Sequence, residues 1–134
     1  MPLHCENARK VALFLENHPG FSWVRYPDLE QDENHALAQK YLSHGSSGVL
    51  SFGVKGGREK ATVFMDSLKV ACVVTHVADA RTSVLHPAST THRQMNDTEL
   101  EAAGVKPDMV RFSVGIEDAE DIIQDLDQAL RKTL

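Results

Sequence analysis

Apolar residues recur at helical spacing from Leu3 to Asn17, with Ala8, Val11, Ala12 and Leu15 on one face; the pattern predicts an amphipathic helix stopped by Pro19-Gly20. The period then shortens to two in Ser22-Trp23-Val24-Arg25-Tyr26, a short strand ending at Pro27. After an acidic loop over Asp28 to Glu33, a second helix is predicted from about Asn34 to Leu42, with Leu37, Ala38 and Tyr41 as its apolar side. Gly48 to Lys55 reads as the second strand, closed by Gly56-Gly57, and Arg58 to Leu68 as a third helix carrying Ala61, Phe64, Met65 and Leu68. Val70 to Val77 is apolar at nearly every position, the signature of a central strand buried on both faces.

Thr82 to Leu85 is a short extended piece that ends at His86-Pro87. Asn96-Asp97-Thr98-Glu99 is helix-start chemistry, and the short helix that follows is closed by Gly104. Met109 to Val114 is the last strand. Glu117 to Leu130 is a terminal helix with acids at its beginning and Arg131-Lys132 at its end, as the helix dipole favours. This order describes an α/β (α+β) domain whose sheet is covered by helices mainly on one side. A chain that opens directly inside a long amphipathic helix reads as a piece of something larger.

Composition narrows the classes. The 134 residues form one domain, with a formal net charge of -5 and no basic stripe, which sets nucleic acid aside. No secretory segment and no long apolar run occur, so the expectation is a cytoplasmic, reduced protein without a membrane partner. Cys5 and Cys72 lack metal-ligand spacing, and Cys72 reads as a small buried hydrophobe. The seven histidines show no zinc pattern, so no metal is expected; His86, held extended by Pro87, reads as a local clasp for the turn that follows. Gly53-Val54-Lys55-Gly56-Gly57 lacks the spacing of a phosphate loop and reads as a strand-to-helix turn. Asp118, Glu120, Asp121, Asp125 and Asp127 read as a solvated helix face.

Arg111 stands apart. It lies in Met109-Val110-Arg111-Phe112-Ser113-Val114, where alternation puts Met109, Arg111 and Ser113 on one face of the strand. A guanidinium there calls for a carboxylate or phosphate; the readings are an ion pair within the chain or a bidentate clamp on a substrate carboxylate.

Several blocks in order carry a family resemblance: Ser22 to Pro27, Leu50 to Gly57, Asp79-Ala80-Arg81-Thr82-Ser83-Val84-Leu85-His86-Pro87-Ala88-Ser89-Thr90-Thr91-His92, and Val110 to Asp118. On them the chain resembles, over essentially its whole length, the C-terminal domain of the pyridoxal-phosphate enzymes of cysteine and methionine metabolism, most closely the O-acetylhomoserine sulfhydrylases. The resemblance implies a mainly antiparallel sheet of about four strands. It implies that residues 1-134 form the C-terminal small domain of a fold-type-I enzyme, with residues 1-18 the end of an interdomain helix. It implies a parent reaction of γ-replacement in methionine biosynthesis, in which acetate leaves O-acetylhomoserine and sulfide or a thiol adds.

In that family the arginine of the last strand holds the substrate's α-carboxylate, which makes Arg111 the expected substrate-binding residue. A serine is frequent at the position of Thr82, near the same carboxylate, so Thr82 is the second expected substrate-binding residue. His76 and Ala78 stand where the sulfhydrylases are expected to carry asparagine and glycine. None of the seven lysines lies in the family's Ser-x-Thr-Lys context, so the expected partner is a pyridoxal-phosphate-binding domain, on the same or a separate chain. This chain alone is expected to bind no cofactor and to be inactive, with homo-oligomers possible in the family. The rival expectations are a stand-alone carboxylate-binding module and an oligomerisation module, neither catalytic.

Overall fold

Strands β1 (Phe21–Arg25), β2 (Val49–Val54), β3 (Cys72–Val73), β4 (Ser83–Leu85) and β5 (Met109–Ser113) form one sheet in the order β1-β2-β5-β4-β3, in a computed structural model that describes residues 1–134. Every neighbouring pair is antiparallel except β3 with β4, which run parallel. The sheet is therefore mixed, with five strands where four were expected. The helices are α1 (Pro2–Asn17), α2 (His35–Tyr41), α3 (Gly57–Asp66), α4 (Asp97–Ala102) and α5 (Ala119–Arg131).

One face of the sheet carries the core. Leu50, Phe52 and Val54 of β2, Val84 of β4, and Val110 and Phe112 of β5 point to it, joined by Val114 just past β5. Against them pack Ala8, Val11 and Leu15 of α1, Phe64 and Met65 of α3, and Ile122, Leu126 and Leu130 of α5. Phe21, Phe52, Phe64 and Phe112 meet edge-on, with ring centroids 5.2 to 6.0 Å apart. Gly56, with φ +101°, makes the left-handed turn that lets β2 run straight into α3, the use expected of that glycine cluster.

Two expected elements differ. Only Cys72 and Val73 of the Val70–Val77 run pair, and they do so at the edge of the sheet rather than its centre. The cause lies before them, where the Asp125 carboxylate of α5 accepts the backbone N–H groups of Lys69 (2.8 Å), Val70 (2.8 Å) and Ala71 (3.0 Å). Those amides thus point at a side chain instead of a strand. Asp125 is accordingly buried, which corrects its assignment to a solvated acidic face, and Cys72 is only partly buried. On α2, Leu37 and Tyr41 are 56% and 68% exposed and only Ala38 is buried, so its expected apolar side does not face the core.

His86 behaves as the sequence led one to expect. Its buried ring meets Ser89 Oγ at 2.8 Å through Nδ1 and the Pro107 carbonyl at 2.7 Å through Nε2. A carbonyl only accepts, so Nε2 carries the proton and Nδ1 accepts from the serine hydroxyl. Burial, the main cause, pushes its pKa below the ordinary histidine value. The unfolded chain then takes up a proton near pH 6.5 that the folded chain resists, so the stability from this site is complete above about pH 6.5 and declines as pH falls below it. His86→Gln is expected to lose part of the difference in urea midpoint between pH 7.5 and 5.5. An equal difference in both proteins would contradict the assignment.

Candidate functional site: a free guanidinium on the open face of the sheet

The face of the sheet opposite α1, α3 and α5 carries the candidate site. The register places Ser51 of β2, Arg111 of β5 and Leu85 of β4 side by side across three strands. The next pair on that face is Ser113 with Ser83. Arg111 thus stands near the middle of the sheet, on the side away from α1, α3 and α5, with its side chain half-buried. Along the same face, Trp23, Arg25, Ser51, Lys106 and Met109 border a cleft of about 590 Å³.

The guanidinium has one partner in the chain: Nη2 donates to the Thr75 carbonyl at 2.8 Å. It pairs with no carboxylate, whereas Arg25, Arg58, Arg81 and Arg131 each do. The ion-pair alternative for Arg111 is thereby removed. An arginine has five N–H donors in a planar fork, so most of the fork remains open to a planar anion.

Thr82, the second expected site residue, lies elsewhere. It precedes β4 by one position, and alternation turns it to the helix-covered side, where it is fully buried. Its hydroxyl donates to Glu117 Oε2 (2.9 Å) and accepts the Gly115 N–H (3.0 Å), and its own N–H donates to Glu117 Oε1 (2.7 Å). That hydroxyl is engaged within the chain, where Thr82 anchors the start of β4 to the turn after β5. The packing there is tight enough to require glycine at 115, because a Cβ would fall 2.3 Å from the Ala80 carbonyl oxygen. Asn7 of α1 closes the same knot by donating to the carbonyls of Gly115 (3.2 Å) and Glu117 (2.7 Å).

Three groups complete the surroundings of Arg111, of which the sequence pointed only to Ser113. They are the Thr75 carbonyl, Ser83, and Ser113 acting through its hydroxyl. Alternation already put Ser113 beside Arg111; nothing local announces that the loop before β4 folds back over both. In that loop Ala78 has φ +59°, a left-handed conformation that costs an alanine about 1 kcal/mol. Glycine, which the resemblance leads one to expect at this position, removes the strain but loosens the unfolded chain. Ala78→Gly is expected to raise stability by about 0.5 kcal/mol, read as an increase of about 2 °C in Tm. A lower Tm would contradict the strain.

No three His, Cys, Asp or Glu side chains come together in this chain. No helix is long and apolar enough to cross a membrane. All seven lysines are exposed, and Lys106 is the one at the open face, stacked over the Trp23 ring with Nζ 5.1 Å from its centroid. The polar groups gathered beside Arg111 on this face are the Thr75 carbonyl and the hydroxyls of Ser83 and Ser113.

Comparison with known proteins places this geometry. Residues 1–131 match the family model described as Cys/Met metabolism PLP-dependent enzyme. The O-acetyl-L-homoserine sulfhydrylase of Leptospira meyeri is 46% identical over 132 residues, covering 98% of this chain and 30% of that protein. The homocysteine synthase of Schizosaccharomyces pombe is 48% identical over 130 residues, covering 97% and 30%. Among solved structures, a Campylobacter jejuni protein described as an O-acetylhomoserine (thiol)-lyase, crystallised with N'-pyridoxyl-lysine-5'-monophosphate, superposes with a TM-score of 0.89 at 38% identity. That match covers 96% of this chain and 31% of the other. The chain thus spans about 30% of the length of the curated relatives it matches.

Proposed function

The chain belongs to the Cys/Met metabolism PLP-dependent enzyme family, and from that premise we propose that it is the C-terminal domain of an O-acetylhomoserine sulfhydrylase-type enzyme. In this reading it contributes Arg111 as the clamp for the substrate's α-carboxylate. The cofactor-binding portion, with its lysine, comes from a partner domain that packs on the open face of the sheet. Residues 1–18 form the end of the helix that joins the two, and the isolated chain is inactive. The parent reaction replaces the acetate of O-acetylhomoserine by sulfide or a thiol: the Cγ–O bond breaks, a Cγ–S bond forms, and homocysteine or its thioether results.

The observation that carries the reading is the Arg111 guanidinium, central on the face away from α1, α3 and α5 and paired with no acid of its own chain. Charge pairing with a carboxylate is where an arginine fork is strongest, and fixing the carboxylate fixes the amino acid relative to the reacting groups. Thr82 acts at one remove by pinning β4 beside β5. Names of relatives support the substrate class, since an O-acetyl-L-homoserine sulfhydrylase and a homocysteine synthase are among the matches.

A chimera tests it. This chain replaces the matching 132 residues of the Leptospira meyeri sulfhydrylase. Restored consumption of O-acetyl-L-homoserine in the presence of sulfide is the expected result. A chimera that folds and carries pyridoxal phosphate, judged by its absorbance, but turns over no substrate would contradict the proposal.

A further inference from the structure

We infer that residues Thr75 to Ala78 form a strap that aims Arg111, and that Ser83 and Ser113 are the positioning residues that hold it. The inference deepens the reading of Arg111 as a carboxylate clamp and rests on it. Ser83 and Ser113 face each other directly across β4 and β5, on the same side of the sheet as Arg111, and both are buried. Ser83 Oγ donates to the His76 carbonyl at 2.9 Å, and Ser113 Oγ accepts the Ala78 N–H at 3.2 Å. Thr75 presents its carbonyl to Arg111 Nη2 at 2.8 Å. Three of four consecutive loop residues are thus tied to three side chains of one sheet face.

The sheet itself does not need those hydroxyls. Small apolar residues would fill buried strand positions without the cost of desolvating an O–H, so the two serines are explained by what they hold. What they hold includes the left-handed residue Ala78, a conformation that a free loop would relax. The consequence falls on Arg111. Its flexible side chain loses rotamer freedom when it grips an anion, and a strap that fixes one Nη beforehand removes part of that loss from the binding step. Ordering of one long side chain corresponds to about a fivefold change in affinity.

The test uses the intact chain, isotopically labelled, with the Nε–Hε resonance of Arg111 followed by NMR and sodium acetate as the carboxylate probe. In the absence of acetate, the guanidinium is expected to rotate about its Nε–Cζ bond more slowly in the wild type than in Ser113→Ala. With acetate, Ser113→Ala is expected to bind about fivefold more weakly, while Ser113→Thr, which keeps the hydroxyl, recovers most of the loss. If Ser113→Ala fails to fold, Ser83→Ala carries the same measurements. Equal rotation rates in wild type and variant would overturn the strap, as would acetate binding that is measurable and equally tight in both. Slowed rotation in a wild-type chain that ignores acetate would leave the strap standing and overturn the carboxylate reading instead.

Discussion

Arg111→Ala, made in the chimera, is expected to lower kcat/KM for O-acetyl-L-homoserine by about two orders of magnitude. Removing one partner of a desolvated, hydrogen-bonded charge pair costs about 2–5 kcal/mol, and the lower part of that range corresponds to a factor of about 30 to 100 or more. The carboxylate is held before and during the reaction alike, so most of the loss should appear in KM. Arg111→Lys keeps the charge but not the planar fork, and should recover only part of the loss. Steady-state kinetics on the cofactor-loaded chimera read this directly, and unchanged constants would remove the clamp. The single link of Arg111 to the Thr75 carbonyl makes a purely structural explanation weak, because loss of one such neutral-acceptor bond at a half-buried site corresponds to about 1 kcal/mol of stability.

Asp125→Ala is expected to produce the largest loss of stability, about 3 kcal/mol, or about 10 °C in Tm. Its carboxylate accepts three successive backbone N–H groups, from Lys69, Val70 and Ala71, and a fourth hydrogen bond from Gln128 Nε2 at 3.0 Å. Alanine leaves those three amides without their acceptor, the one from Ala71 in a buried place. Asp125→Asn retains one acceptor oxygen and should lose about half as much. Thermal unfolding followed by circular dichroism separates the three proteins, and a Tm of Asp125→Ala within about 2 °C of wild type would contradict the role assigned to it. The effect should also reach the candidate site, because residues 69–71 lead into β3 and from there into the strap over Arg111.

Much of the frame was legible from local pattern. Pro19-Gly20 ends α1, Asn96 and Glu99 form the capping box of α4, and the alternation through Met109–Ser113 puts Arg111 on the face away from Phe112. What failed did so for reasons that lie outside any local window. Val70–Val77 has the composition of a central strand, but Asp125, more than fifty residues away, claims the amides at its start, and the segment past Val73 peels off to cross the sheet. Val73 and Val77 are consequently exposed. Asp125 itself sat among four other acids in and around α5, and nothing in that run distinguishes the one whose carboxylate meets backbone from those that meet water. Leu37 and Tyr41 have helical spacing, yet spacing alone does not say whether a core lies beside the helix.

Thr82 shows the same limit at the site. Alternation along β4 turns its hydroxyl to the side of the sheet opposite Arg111, where Glu117 reaches back across a turn to take it. Arg111, inside a regular strand, faces the side that alternation alone predicts.

The most direct measurement compares O-acetyl-L-homoserine with its analogue lacking the carboxylate, O-acetyl-3-aminopropanol, as ligands of the chimera with Arg111 intact and of its Arg111→Ala variant. The account predicts that the chimera with the arginine binds the carboxylate-bearing compound about a hundredfold more tightly and that Arg111→Ala abolishes most of that preference. A variant that keeps the full preference would show that another group holds the carboxylate, and would contradict the claim that this chain supplies the clamp.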